Sequence, residues 1–222
     1  MRPEAKREDD MRTNEVLIGA GLMLGAYLLG SVSWGILFTR RLSSVDLIQG
    51  GSRNIGAANV ARTAGAKLGA LTLAADMLKA ALPVWIFFAL TDSETIGRQY
   101  WGILVAAAAF FGHLFPVYKG FKFGGKGVAT AAGGFLALAP KALGLAVLVY
   151  IIAVAGFRRA SIGSLAASAV LPFAAWMVYR SFAITGWALV AAVFIWMRHR
   201  DNIARIIAGV EPEFRFPSRK AR

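Results

Sequence analysis

The sequence predicts an all-α fold: a polytopic membrane bundle of seven transmembrane helices, with the N-terminus outside and the C-terminus cytoplasmic. Three observations carry that prediction. Hydrophobic residues make up 57% of the chain and the mean hydropathy is +0.57, which is too apolar for a soluble domain that must also present a polar surface. The apolar residues fall in span-length runs, since a hydrocarbon core of about 30 Å takes roughly 20 residues of helix. Lysines and arginines, finally, gather after every second run.

In order, the runs cover 16–38, 68–90, 101–117, 128–139, 142–157, 162–179 and 182–197. Pro140-Lys141 divides the fourth from the fifth; one long tilted span there would reduce the count to six. Arg40, Arg41, Arg53, Arg62 and Lys67 follow the first run, Lys119, Lys122 and Lys126 the third, and Arg158 and Arg159 the fifth. Arg198, Arg200, Arg205, Arg215, Arg219, Lys220 and Arg222 follow the seventh. The other side receives Arg98, Lys141, Arg180 and an N-terminal stretch whose four basic residues are outnumbered by five acidic ones. The positive-inside bias then places the N-terminus outside. An odd number of spans puts the termini on opposite sides, in agreement with seven.

The chain accordingly divides into a disordered extracytoplasmic tail over 1–15, one transmembrane domain over 16–211, and a basic cytoplasmic tail over 212–222. Met11 is a second candidate start, and no A-x-A-like site marks a cleavable signal peptide. The chain has no cysteine, so thiol nucleophiles, disulfides, Cys-ligated zinc and iron–sulfur clusters are excluded. His113 and His199 lie far apart, so no metal site and no cofactor is expected. A net charge of +13 on so apolar a chain points to anionic lipid or substrate rather than to nucleic acid.

Four polar segments interrupt this plan. In "GGSRNIGAANVAR", residues 50–62, Gly56 allows close backbone approach while Ser52, Asn54, Asn59 and Arg62 supply hydrogen bonds. If Gly56 opens a helical turn, free N–H groups there face an anion. A glycine-rich packing segment is the plainer alternative. In "GHLFPVYKGFKFGGKGVATAAGG", residues 112–134, the spacing Gly120, Gly125, Lys126 nearly matches a phosphate loop. Gly127 stands where a magnesium-binding Ser or Thr would be, so nucleotide hydrolysis is not supported, whereas phosphate binding by Gly125, Lys126 and Gly127 is. Lys119 and Lys122 read as ordinary positive-inside residues.

In "RRASIGSLAAS", residues 158–168, Ser161, Ser164 and Ser168 share a helix face. Serines in membrane helices usually bond to their own carbonyls; Ser161 reads as an N-cap and Ser164 as the ligand candidate. In "RHRDNIARIIAGVEPE", His199 and Asn202 can face one site, while Ile203, Ile206, Ile207 and Val210 make an interfacial stripe. Asp76 and Lys79, three apart inside the second run, read as a mutually neutralising structural pair. His113, at the inner end of the third run, suits packing as well as function.

Taken together, "GSRNIGAANVAR", "GHLFPVYKGFKFGGKGVAT", the serine segment and "RHRDNIARIIAGVE" resemble the signature segments of the integral-membrane glycerol-3-phosphate acyltransferases that use acyl phosphate, the PlsY family. The likeness runs from about Tyr27 to Glu211. Arg53 stands where the family usually has glycine, Ala58 where it has threonine, and the lysine loop is one residue longer, with Phe123 before its glycines.

The resemblance implies transfer of a fatty acyl group from acyl phosphate to the sn-1 hydroxyl of glycerol 3-phosphate, giving lysophosphatidic acid and phosphate. This would be the first step of phospholipid synthesis, in a bacterial inner membrane, by a monomer whose site faces the cytoplasm and membrane lipid. Acyl phosphate carries a good leaving group, so positioning and charge stabilisation suffice, without an acyl-enzyme. On this reading Ser52, Asn54, Gly56 and Asn59 cradle the acyl phosphate, and Arg62, Lys126, Ser164 and Asn202 clamp glycerol 3-phosphate. Ser52, Arg62, Lys126 and His199 are the residues expected to act in catalysis, although the substrate's phosphate competes with His199 as base. Another acyltransferase class has Asp five residues after a His; here Tyr118 follows His113 and Ala204 follows His199 at that distance, which excludes it. The rival from a different class is a membrane transporter of organic phosphate, which would translocate without forming an ester.

Overall fold

A computed structural model describes residues 3–47, 51, 54–91, 96–122 and 124–213. The described residues form ten α-helices: α1 (Pro3–Ser31), α2 (Trp34–Leu42), α3 (Ala57–Ala64), α4 (Ala66–Leu90), α5 (Ile96–Leu114), α6 (Val128–Leu138), α7 (Pro140–Phe157), α8 (Ala160–Tyr179), α9 (Phe182–Arg198) and α10 (Arg200–Ile207). A single 3-10 turn, Val117–Lys119, follows α5. The all-helical expectation holds.

Long-range hydrogen bonds define two ends of the bundle. At one, the Arg98 guanidinium donates to the Phe88 carbonyl, Ser181 Oγ to Gln99 Oε1 at 2.9 Å, and the Lys141 N–H to Tyr179 Oη at 3.2 Å. At the other, Tyr27 Oη donates to the Phe115 carbonyl at 2.8 Å and Arg159 Nε to the Glu211 carbonyl at 3.1 Å. α1, α5, α7 and α9 run from the first end to the second and α4 and α8 run back, with the shorter α6 heading back as well, and the described parts of the polar segments gather at the second end.

Five helices are long and apolar enough to cross a bilayer, and α9 with α10 makes a sixth unit bent by 60°. The fourth run, 128–139, is the exception to the expected count: α6 has 11 residues, about 16 Å at 1.5 Å per residue, or half a hydrocarbon core. Its buried face of Thr130, Ala131, Gly133, Gly134 and Phe135 seats it among α4, α5 and α9. The division at Pro140 is real. Ala139 leaves the helical region (φ −150°, ψ 62°) and Pro140 opens α7 at its first position, where its missing N–H has no helical acceptor to lose.

Three boundaries differ from the sequence reading. The first run ends at Ser31 and resumes as α2 rather than continuing to Phe38. α1 also reaches back to Pro3, through the segment expected to be disordered; Glu, Lys and Arg are good helix formers, and extending an existing helix needs no new nucleus. Arg159, not Ser161, caps α8. Residues 214–222 of the expected basic tail lie outside the described residues.

The core sits where α5, α6 and α9 meet. The Phe135 ring stacks on Trp187 at 6.4 Å, and Phe110 meets Trp187 edge-on at 5.5 Å. Only 17% of α7 is buried, so that helix turns nearly all its apolar surface outward, as lipid contact requires.

Candidate active site

Asn54 to Arg62 form the first wall. Asn54 Oδ1 accepts the Gly56 N–H at 2.8 Å, an Asx turn that sets Gly56 (φ −81°, ψ 164°) as the cap of α3. From the next turn Asn59 Nδ2 donates to the Asn54 carbonyl at 2.9 Å. Gly56 therefore opens a helix as expected, but its own N–H is taken, and it shapes the turn rather than presenting a donor. Asn59 is buried as a brace, whereas Asn54 and Ile55 reach the cavity surface. Arg62 is exposed on the last turn of α3, within electrostatic reach of Lys126. Ser52 and Arg53 lie outside the described residues, as does Phe123; Ala58 is exposed on α3.

Gly124 to Gly127 form the second wall, and the main chain there is held from both sides. The Gly125 N–H donates to the His113 carbonyl at 3.0 Å. Arg198 donates from Nε to the Gly125 carbonyl at 3.1 Å, and from Nη2 to those of Gly124 at 2.7 Å and Leu114 at 3.2 Å. Gly127 has φ +84° and would place a Cβ 2.4 Å from the Phe110 ring, so both backbone and space call for glycine. Between these fixed points stands Lys126, which donates to Asn202 Oδ1.

Asn202 is oriented from behind. Its Nδ2 donates to Glu211 Oε1 at 2.6 Å, which leaves Oδ1 for the lysine. Arg205 Nε donates to Glu211 Oε2 at 2.7 Å, so Glu211 joins α8, α10 and Lys126 in one network. Burial pushes the Glu211 carboxyl up, but the hydrogen bonds from Asn202 and Arg205, with the Ser161 hydroxyl close by, outweigh it and hold it below its usual range. Lys126 is pulled down to about 8, chiefly by burial, with Glu211 opposing and Arg205 adding to the shift.

These walls enclose a cavity of about 620 Å³, a volume suited to a small-molecule ligand. Asn54, Lys126, Arg198 and Asn202 line it together with Phe115, Phe194 and Met197. Such a lining takes an anionic group beside an apolar chain. A smaller hollow of about 230 Å³ under α2, at Arg40 and Asp46, gathers none of the four segments' site residues. Among the described residues no group of three or more His, Asp or Glu is placed to hold a metal.

His199 and Ser164 stand behind this lining. His199 is buried, and its Nδ1 donates to the Ile195 carbonyl at 2.8 Å, so the Nε2 lone pair remains for a proton; burial and the Lys126 charge pull the ring down to about 4. Ser164 Oγ donates to the Ala160 carbonyl at 3.0 Å, the habit of serines in apolar helices.

Sequence reasoning missed Arg198 and Glu211. Arg198 looked like one more positive-inside residue, because its partners are main-chain carbonyls 73 and 84 positions away. Glu211 carried one signal, its place at the close of the fourth polar segment.

With this geometry established, comparison with known proteins is specific. The family model for glycerol-3-phosphate acyltransferase matches residues 20–209. A glycerol-3-phosphate acyltransferase of Trichlorobacter lovleyi is 47% identical over 201 residues, covering 88% of this chain and 98% of that protein. One of Syntrophotalea carbinolica is 43% identical over 194 residues, covering 87% and 96%. A crystal structure of PlsY, an integral membrane glycerol 3-phosphate acyltransferase, in its glycerol 3-phosphate form, superposes with a TM-score of 0.81 at 34% identity, covering 89% of this chain and 96% of that one.

Proposed function

The chain belongs to the glycerol-3-phosphate acyltransferase family, and on that premise we propose that it moves a fatty acyl group from acyl phosphate to the sn-1 hydroxyl of glycerol 3-phosphate. One observation supports the reading: Lys126, Asn54 and Asn202, from three separate segments, line one cavity together with Phe115, Phe194 and Met197. Such a mixed lining suits phosphate groups and an acyl chain.

In the proposed step the glycerol oxygen attacks the carbonyl carbon, the bond from that carbon to the phosphate oxygen breaks, and the hydroxyl proton leaves with inorganic phosphate. No acyl-enzyme forms. Asn54, on the turn shaped by Gly56 and Asn59, cradles the acyl phosphate together with Ser52. Lys126, Arg62 and Asn202 hold glycerol 3-phosphate, with the Gly125 and Gly127 backbone letting it approach. Ser164, whose proton goes to Ala160, is left with lone pairs that suit a substrate hydroxyl. A phosphate dianion is a better base than an imidazole held down to about 4, so the substrate's phosphate takes the proton and His199 serves as a neutral neighbour.

The polar end of the bundle then faces the cytoplasm, with α6 completing a seventh pass, the N-terminus outside and the protein acting as a monomer. Purified protein supplied with acyl phosphate and glycerol 3-phosphate should release phosphate and form lysophosphatidic acid only when both are present. Acyl-CoA supplied in parallel tests the donor. Uptake of glycerol 3-phosphate into vesicles without ester formation would instead mean transport. A cysteine at Lys122, in a chain that has none, should react with impermeant reagents only from the cytoplasmic face, and one at Arg180 only from the other.

A further inference from the structure

Lys79 lies in the middle of α4, buried to 2% exposure. A charge there is costly unless compensated. Its Nζ is 2.9 Å from Asp76 Oδ1, donates to His113 Nδ1 at 2.7 Å and donates to the Val32 carbonyl at 3.2 Å. An ammonium has N–H groups and no lone pair, so it can only donate to the ring, which fixes the His113 proton on Nε2.

Each of the two outer contacts leads to one wall of the cavity. The Nε2 edge of His113 lies against Gly125, where a Cβ would stand 2.0 Å away, and the His113 carbonyl accepts the Gly125 N–H. His113 thus grips the residue before Lys126 by ring and by main chain. Val32 is the break between α1 and α2. Three residues on, Gly35 packs so tightly that a Cβ would meet the Ile55 carbonyl at 2.1 Å, which ties α2 to the turn holding Asn54. A single ammonium therefore bridges the supports of both walls.

We propose that the Asp76–Lys79–His113 cluster is a positioning device that sets the spacing between the Asn54 turn and the Lys126 loop, and so the distance between the two bound reactants. The kinetic part rests on the acyl-transfer reading; the spacing part does not. A misplacement of about 1 Å between reacting groups costs about a hundredfold in rate. Each substrate keeps its own contacts when the cluster is broken, so the loss falls on kcat.

The paired substitution Asp76→Asn/Lys79→Met removes both charges at nearly constant shape. It should lower kcat about a hundredfold while leaving both KM values within about threefold. A rise in one KM at unchanged kcat would overturn the proposal, because the cluster would then serve one substrate's binding. His113→Asn, which keeps an acceptor for Lys79 but loses the edge facing Gly125, gives a milder variant should the pair fail to fold. Gly125→Ala should cost much less in a His113→Ala background than beside the native ring, whereas additive losses would count against the ring as the loop's support. Spin labels on cysteines at Ala58 and Lys122, both exposed, read the spacing without reference to activity. A narrow distance distribution should broaden or shift in the paired variant, and an unchanged one would sink the inference. Failure of the native protein to turn over both substrates would instead remove the acyl-transfer reading and leave the distance test standing.

Discussion

Two lysines in this molecule show how surroundings decide what the same side chain is for. Lys79 sits mid-bundle with an anion, an imidazole and a carbonyl around its ammonium; nothing is left over for a ligand. Lys126 sits at the cavity wall with a neutral amide as its hydrogen-bonded partner, so most of its charge remains available. Burial that Glu211 and Asp201 only partly offset is what pulls it to about 8, and a phosphate bound at the proposed site would offset the rest. A cation spent on structure rigidifies its neighbours; one left under-paired at a concave surface attracts substrate.

The sharpest way to break the comparison is at the cavity. Lys126→Ala should lower kcat/KM for glycerol 3-phosphate about a thousandfold, the scale of losing a charge-stabilising donor, with little change in melting temperature. A loss of folding instead would move Lys126 into the structural class with Lys79.

Glu211→Gln comes next. It keeps the shape but weakens the brace on Asn202 and unpairs Arg205, so activity should fall about tenfold to a hundredfold. The accompanying loss of stability should be about 1–3 kcal/mol, read by thermal melting in detergent. Activity lost at unchanged stability would mean that Glu211 touches substrate.

A smaller effect separates the lysines by pH. Lys126 is charged below about 8 and loses its proton above, so kcat/KM for glycerol 3-phosphate should decline by about tenfold per unit on the alkaline side. An active Lys126→Arg variant should lose that limb, since an arginine stays charged there. Smallest of all, Lys119→Ala should leave kcat/KM within about threefold, because Lys119 lies outside the cavity lining. A large loss there would extend the catalytic surface toward the 3-10 turn.

Much of this was legible in the chain itself, for reasons tied to particular residues. Pro140 announced a helix break because a proline ring pushes the residue before it out of helical conformation, although the interiors of α4 and α8 tolerate Pro83 and Pro172. Gly125, Lys126 and Asn202 stood out because polar and glycine-rich segments among span-length apolar runs demand a purpose. What stayed hidden was long-range. Arg198 works through main-chain carbonyls that any residue could supply, and the bond from Lys79 to Val32 joins residues 47 positions apart. Ser164 was read as a ligand from its helix face, but that spacing does not reveal that its proton goes to Ala160. The runs do not reveal their surroundings: a run's composition reports that it avoids water, not whether lipid or protein surrounds it, and α6 is surrounded largely by protein.

Arg198 seizes the lysine loop by the oxygens of Leu114, Gly124 and Gly125, atoms common to every amino acid. The loop is therefore held at Leu114 and at Gly124 by contacts that ask nothing of the side chains there.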